Sequence, residues 1–205
     1  MALLQSLGDG TFAANVIALT GNEPVDVLLA DTSDDGVPDI MLANAGSGTV
    51  SFFSFMGGLG GEVEYGTMNV ASPMGLSFGQ YNQNTDAVED VFAFGGSAFA
   101  ALPGDGQGIS DAPVGGTIGT DLRRAVGGDL GGSSAGDAAV ADFAEGGIYV
   151  LLGDGDPVGF TAQDFYATGA GAIDVAAGDV TGDGDVDLAV ANSGDDSVTV
   201  LEKTS

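Results

Sequence analysis

Two nine-residue stretches, "DTSDDGVPD" at 31–39 and "DVTGDGDVD" at 179–187, place oxygen-bearing side chains at alternate positions. In the first, Asp31, Ser33, Asp35 and Asp39 stand at positions 1, 3, 5 and 9; in the second, Asp179, Thr181, Asp183 and Asp187 do. Each has a glycine at position 6, Gly36 or Gly184, which permits a tight turn. The backbone carbonyl at position 7, from Val37 or Asp185, would add one more donor. Hard oxygen donors in that number suit calcium, which takes six to eight at ~2.3–2.6 Å. Aspartate and glycine also build Asx turns without any ion, and the spacing alone leaves that alternative open. An EF-hand loop begins in the same way, but it needs an acidic ligand at position 12 and a following helix. Position 12 is Leu42 in one stretch and Val190 in the other, each inside an apolar run.

Two further stretches keep the register with fewer ligands. Asp129 and Asp137 retain the spacing between positions 1 and 9, but Gly131 and Ser133 replace ligands between them, so an empty loop is expected ahead of weak binding. Gln80, Asn82, Asn84 and Asp90 spread over eleven positions, and no calcium is expected there.

Catalysis is not expected. Asp34 with Asp35, or Asp183 with Asp187, could pair as acid and base, but that work needs one carboxyl with a raised pKa in an apolar pocket. The chain has no histidine to activate a serine and no cysteine to serve as nucleophile, thiolate ligand or disulfide. Thirty acidic residues against three basic ones give a net charge of −27, which repels nucleic acid and anionic lipid surfaces. No apolar stretch approaches the ~20 residues of a membrane helix, and "MALLQSL" lacks the basic start of a signal peptide. Apolar residues make up 44%, so the acidity does not imply disorder.

These loops belong to an internal repeat. "PVDVLLADTSDDGVPDIMLANAGSGTVSFFSF" from Pro24 aligns without a gap on "AIDVAAGDVTGDGDVDLAVANSGDDSVTVLEK" from Ala172. Weaker copies begin at Met74 and Leu122, and the loop openings at Asp31, Gln80, Asp129 and Asp179 are spaced 49, 49 and 50 residues apart. Each period reads as short apolar or alternating runs bounded by turn formers, in the first period at 25–30, 40–44, 50–55 and 63–70. Thirty-seven glycines weigh against helices. An all-β β-propeller of about four ~49-residue, four-stranded blades is expected, with repeat units near 24–70, 74–118, 122–168 and 172–203 and closing strands from 1–20.

The strand, acidic loop, strand unit "DVAAGDVTGDGDVDLAVANSG", together with "LGDGTF" at Leu7 and "LLGDGD" at Leu151, resembles the FG-GAP or VCBS repeats of integrin-like, calcium-binding β-propellers. The resemblance implies an extracellular, secreted or cell-surface adhesion module that recognises a protein or glycan and uses Ca2+ structurally.

The strand count does not close a ring. Third-strand copies number five, at 3–7, 50–55, 98–102, 148–152 and 197–201, whereas the other three strand types number four. The chain is therefore a ring with a frayed end, a segment of a larger propeller, or a subunit that exchanges strands with its neighbour. The last would build an extracellular filament or surface layer. Arg123 and Arg124 lie in an expected inner strand, where an ion pair with a carboxylate is the expected role.

Overall fold

The computed structural model describes residues 2–204 apart from 17–19, 57–61, 80, 82–87, 105, 107–108, 110–112, 132–135 and 154–158. Every regular element among them is a β-strand. In chain order these are β1 (Ala2–Ser6), β2 (Phe12–Val16), β3 (Pro24–Ala30), β4 (Asp39–Asn44), β5 (Thr49–Met56), β6 (Glu62–Asn69), β7 (Gly75–Gly79) and β8 (Asp90–Leu102). They continue with β9 (Val114–Gly128), β10 (Asp137–Asp142), β11 (Gly147–Gly153), β12 (Phe160–Ala167), β13 (Ala172–Gly178), β14 (Asp187–Asn192) and β15 (Ser197–Leu201).

Hydrogen bonding sorts these strands into sheets of order β1-β2, β3-β4-β5-β6, β12-β11-β10-β9-β8-β7 and β13-β14-β15. They are not four equal sheets of four strands. The six-stranded sheet arises because β8 and β9 each run through two strand positions. Residues 90–94 of β8 pair with β7, whereas 98–101 pair with β9. Phe92 and Phe99 stack at 5.5 Å, although seven residues of straight strand would part them by ~23 Å, so the chain reverses between them. Gly96 in the middle has φ +57°, the left-handed value such a turn requires. In β9, residues 114–117 pair with β8, and 122–128 pair with β10.

Packing repeats as regularly as the sequence. "DIMLAN" and "DAAVAD" are buried at every residue of β4 and β10, which is why they read as continuous apolar runs rather than alternating ones. Counted from the aspartate that opens the strand, residues two and four positions on face the following repeat, and residues one and three positions on face the preceding one. Thus Met41 and Ala43 share a core with Val91 and Ala93. Phe92 and Phe94 pack with Ala138 and Val140, and Ala139 and Ala141 with Leu188 and Val190. Three cores in series join the strands from β3 to β15.

Buried asparagines fasten the turns between β4 and β5 and between β14 and β15. Asn44 Nδ2 donates to Thr49 Oγ1 and Ser51 Oγ, and Asn192 Nδ2 to Ser197 Oγ and Thr199 Oγ1.

Candidate metal loops

The four loops share one element that the ligand pattern alone does not separate out. The aspartate opening the second strand of each repeat is buried: Asp39, Asp90, Asp137 and Asp187 are 0 or 1% exposed. Each turns one oxygen back onto the start of its own loop. Asp187 Oδ2 accepts from the N–H groups of Val180 and Thr181 at 3.0 and 3.1 Å. Asp137 Oδ2 accepts from Leu130 and Gly131, Asp90 Oδ2 from Tyr81, and Asp39 Oδ2 from the N–H and hydroxyl of Thr32. In three repeats the other oxygen takes an N–H at or just past the end of the third strand: Gly104 to Asp90, Gly153 to Asp137 and Lys203 to Asp187. One carboxylate thus clamps the loop to the hairpin beside it.

The expected ligands at positions 1 and 5 shape the turn itself. Asp31 accepts from the N–H groups of Asp35 and Gly36 at 3.3 and 2.9 Å, and Asp179 accepts from Gly182 and Gly184 at 2.6 and 3.0 Å. Asp35 accepts from Val37 and Asp183 from Asp185, at 2.8 and 2.9 Å. Gly36 and Gly184 take φ +80° and +93°, so position 6 does need glycine. Ser33 Oγ reaches Asp39 Oδ1 at 3.5 Å, while Thr181 is exposed. The two loops therefore fold on the same internal bonds, with Asp34, Asp35, Asp179 and Asp183 facing solvent. Among the described residues no three carboxylates converge into a cage for a cation. The donor chemistry fits calcium, and the hydrogen bonds leave each carboxylate with further lone pairs.

The weaker third loop places Asp129 at the surface, whereas Asp137 is buried. Burial pushes the Asp137 carboxyl above its usual value, against three N–H donors, and the Asp129 charge adds to the rise. At Asp187 the N–H of Lys203 leads the opposite effect, and its carboxyl is held low. Gln80, Asn82, Asn84 and Ser133 lie outside the described residues. In the second loop Tyr81 is fully buried, its hydroxyl 3.0 Å from Ser77 Oγ, and burial pushes its phenol far up.

The cations are engaged by carboxylates. Arg123 meets Asp121 at 2.7 Å and lies 5.1 Å from the centroid of the Phe143 ring, Arg124 meets Asp174 at 3.5 Å, and Lys203 Nζ meets Asp185 at 3.5 Å. The clamp had one sequence signal: an aspartate directly before the second strand's apolar run in all four copies, even where the other ligands and the loop length change.

No protein-family profile matches the chain, and no curated protein matches it either. Solved structures do. A crystal structure of BBS1N in complex with ARL6DN, soaked with mercury, is similar with a TM-score of 0.57 and 10% identity, over 90% of this chain and 59% of that one. The lead-soaked form of the same complex gives 0.51 and 12%, over 90% and 57%. The chain thus spans less than two thirds of these neighbours. The likeness shows an all-β fold of the β-propeller kind.

Proposed function

We propose that this chain is a calcium-stabilised β-propeller module that works outside the cell, recognising a protein or glycan. The observation that carries the reading is the pair of loops at 31–39 and 179–187, which repeat one internal hydrogen-bond scheme and one spacing of oxygen donors. Asp31, Ser33, Asp35 and Asp39, with the Val37 carbonyl, would hold one ion. Asp179, Thr181, Asp183 and Asp187, with the Asp185 carbonyl, would hold the other. Bound calcium supplies positive charge to a chain with a net charge of −27, and external millimolar calcium suits sites of ~10⁻⁴ to 10⁻³ M. A protein ligand is favoured by likeness to BBS1N, which was crystallised in complex with ARL6DN. Melting temperature should rise more with calcium than with magnesium, and Asp31→Ala with Asp183→Ala should abolish the difference. An unchanged melting temperature after chelation would refute the reading.

A second reading, a subunit of an extracellular filament or surface layer built by strand pairing, is favoured by the edge of β15. The sheet β13-β14-β15 has no fourth strand among the described residues, and β1-β2 forms a sheet of its own.

A further inference from the structure

We infer that the sheet β13-β14-β15 of one copy docks on β3 of a second copy, with β15 beside that copy's β2. The inference rests on the second reading above and names its surface and register.

Val27 on β3 is 59% exposed, whereas the residues at its repeat position, Leu76, Ala125 and Val175, are 2, 3 and 5% exposed. All four stand opposite the third residue after the loop-closing aspartate: Val27 opposite Leu42, Leu76 opposite Ala93, Ala125 opposite Val140 and Val175 opposite Val190. In the three buried cases the strands of the preceding repeat cover this face. Val25 and Leu29 extend the open face of β3, at 47 and 58% exposed.

The opposite face of β13-β14-β15 is the type that covers it. Its β14 residues Ala189 and Ala191 correspond to Met41 and Ala43, to Phe92 and Phe94, and to Ala139 and Ala141, all of which pack on the strands of the following repeat. Here Val198 and Val200, paired with Ala191 and Ala189, are 70 and 45% exposed. Both faces are open in one chain, so its two ends do not cover each other. A second copy brings the matching face to each.

Strand pairing fixes the register. β2 leads into "TG" at Thr20 as β12 leads into "TG" at Thr168, which makes β2 a fourth strand and β1 a third. In the repeat, Leu152 of the third strand stands opposite Ala162 of the fourth, and Ser54 stands opposite Glu64 in the same way. The equivalent pair is Glu202 opposite Ala14, a place now held by Leu4 of β1. β15 and β1 therefore compete for one edge of β2. Beside β15 is a cavity of about 280 Å³, lined by apolar Val150, Leu188 and Leu201 and by polar Glu202, Lys203 and Thr204. Copies of net charge −27 repel, so docking strengthens as salt screens them.

The chain has no cysteine, so Ala14→Cys with Glu202→Cys introduces the only two thiols. Oxidation of the full chain should give disulfide-linked dimers or longer ladders, several-fold more at ~1 M NaCl than at ~0.05 M. Val27→Glu, at an exposed position, should return the protein to monomer by light scattering. A disulfide within one chain would overturn the inference, because the ring then closes on itself. Oligomers that form without the cross-link overturn this surface while leaving self-assembly standing. A monomer without a cross-link at both salt concentrations overturns both.

Discussion

The backbone N–H of Lys203 donates to Asp187 Oδ1 at 3.0 Å, which fastens the chain's only lysine to the loop its ammonium faces. Lys203 Nζ lies 3.5 Å from Asp185 in that loop, and no equivalent cation meets the loop at 31–39 among the described ion pairs. A tethered ammonium opposes any second cation nearby. Replacing Lys203 with Ala should therefore tighten calcium binding at 179–187 roughly twofold to fivefold, the scale of a partly exposed ion pair. The backbone clamp survives the change, since only the side chain is lost. Calcium titration by calorimetry in an Asp31→Ala background, which leaves one loop intact, reads the effect directly.

Removing a clamp should cost far more than removing a surface carboxylate. Asp90 is fully buried and takes the N–H groups of Tyr81 and Gly104 at 2.6 and 2.9 Å. Asp90→Ala leaves both donors without that acceptor, at a cost of about 2–4 kcal/mol. Asp34→Asn, on the exposed turn where φ is +54° and asparagine is tolerated, should cost little. Urea unfolding of both variants without calcium separates the clamp from any metal effect.

Acid should act on Asp137 and Asp142 with opposite signs. Burial works against ionisation at Asp142, but the N–H groups of Thr120, Glu145, Asp121 and Ala144 together outweigh it and hold the carboxyl below its usual value. Its contribution is present above the unfolded carboxyl range near 3.8 and is lost as pH falls through the lower folded value. At Asp137 burial prevails and the value is raised, so protonation there favours the fold and begins above 3.8. The stability gap between wild type and Asp142→Asn should narrow as pH falls below the ordinary carboxylate range. For Asp137→Asn the gap should widen as pH falls through the raised value. Urea midpoints between about pH 6 and pH 2 test both directions.

Much of this fold was legible because two periodicities coincide. The ~49-residue repeat located the turns, and apolar runs between them located strands such as β3 to β6, at 24–30, 39–44, 49–56 and 62–69. The fusion at β8 was not legible. The turn between its two halves shrinks to the stretch around Gly96, and the same apolar letters serve one long strand or two short ones. At the loops, spacing identified Asp31, Asp35, Asp179 and Asp183 as a set with Asp39 and Asp187. It could not show that the last two are buried and committed to backbone N–H groups, because burial depends on the neighbouring sheet. A ligand and a clamp are the same letter in the same register. Only the weaker copies distinguish them, since Asp90 and Asp137 persist where the ligands do not.

The serial cores bear on how the chain is made. The first gathers residues from 30 to 109, the second from 81 to 151, and the third from 139 to 190. Among the described residues no core waits for one from the far end of the sequence, so the loop entropy that slows many β proteins is met in short instalments. A chain emerging from the ribosome can bury Met41 against Val91 before Leu188 has been synthesised. Each finished sheet then offers the next one a ready surface, and folding can keep pace with translation.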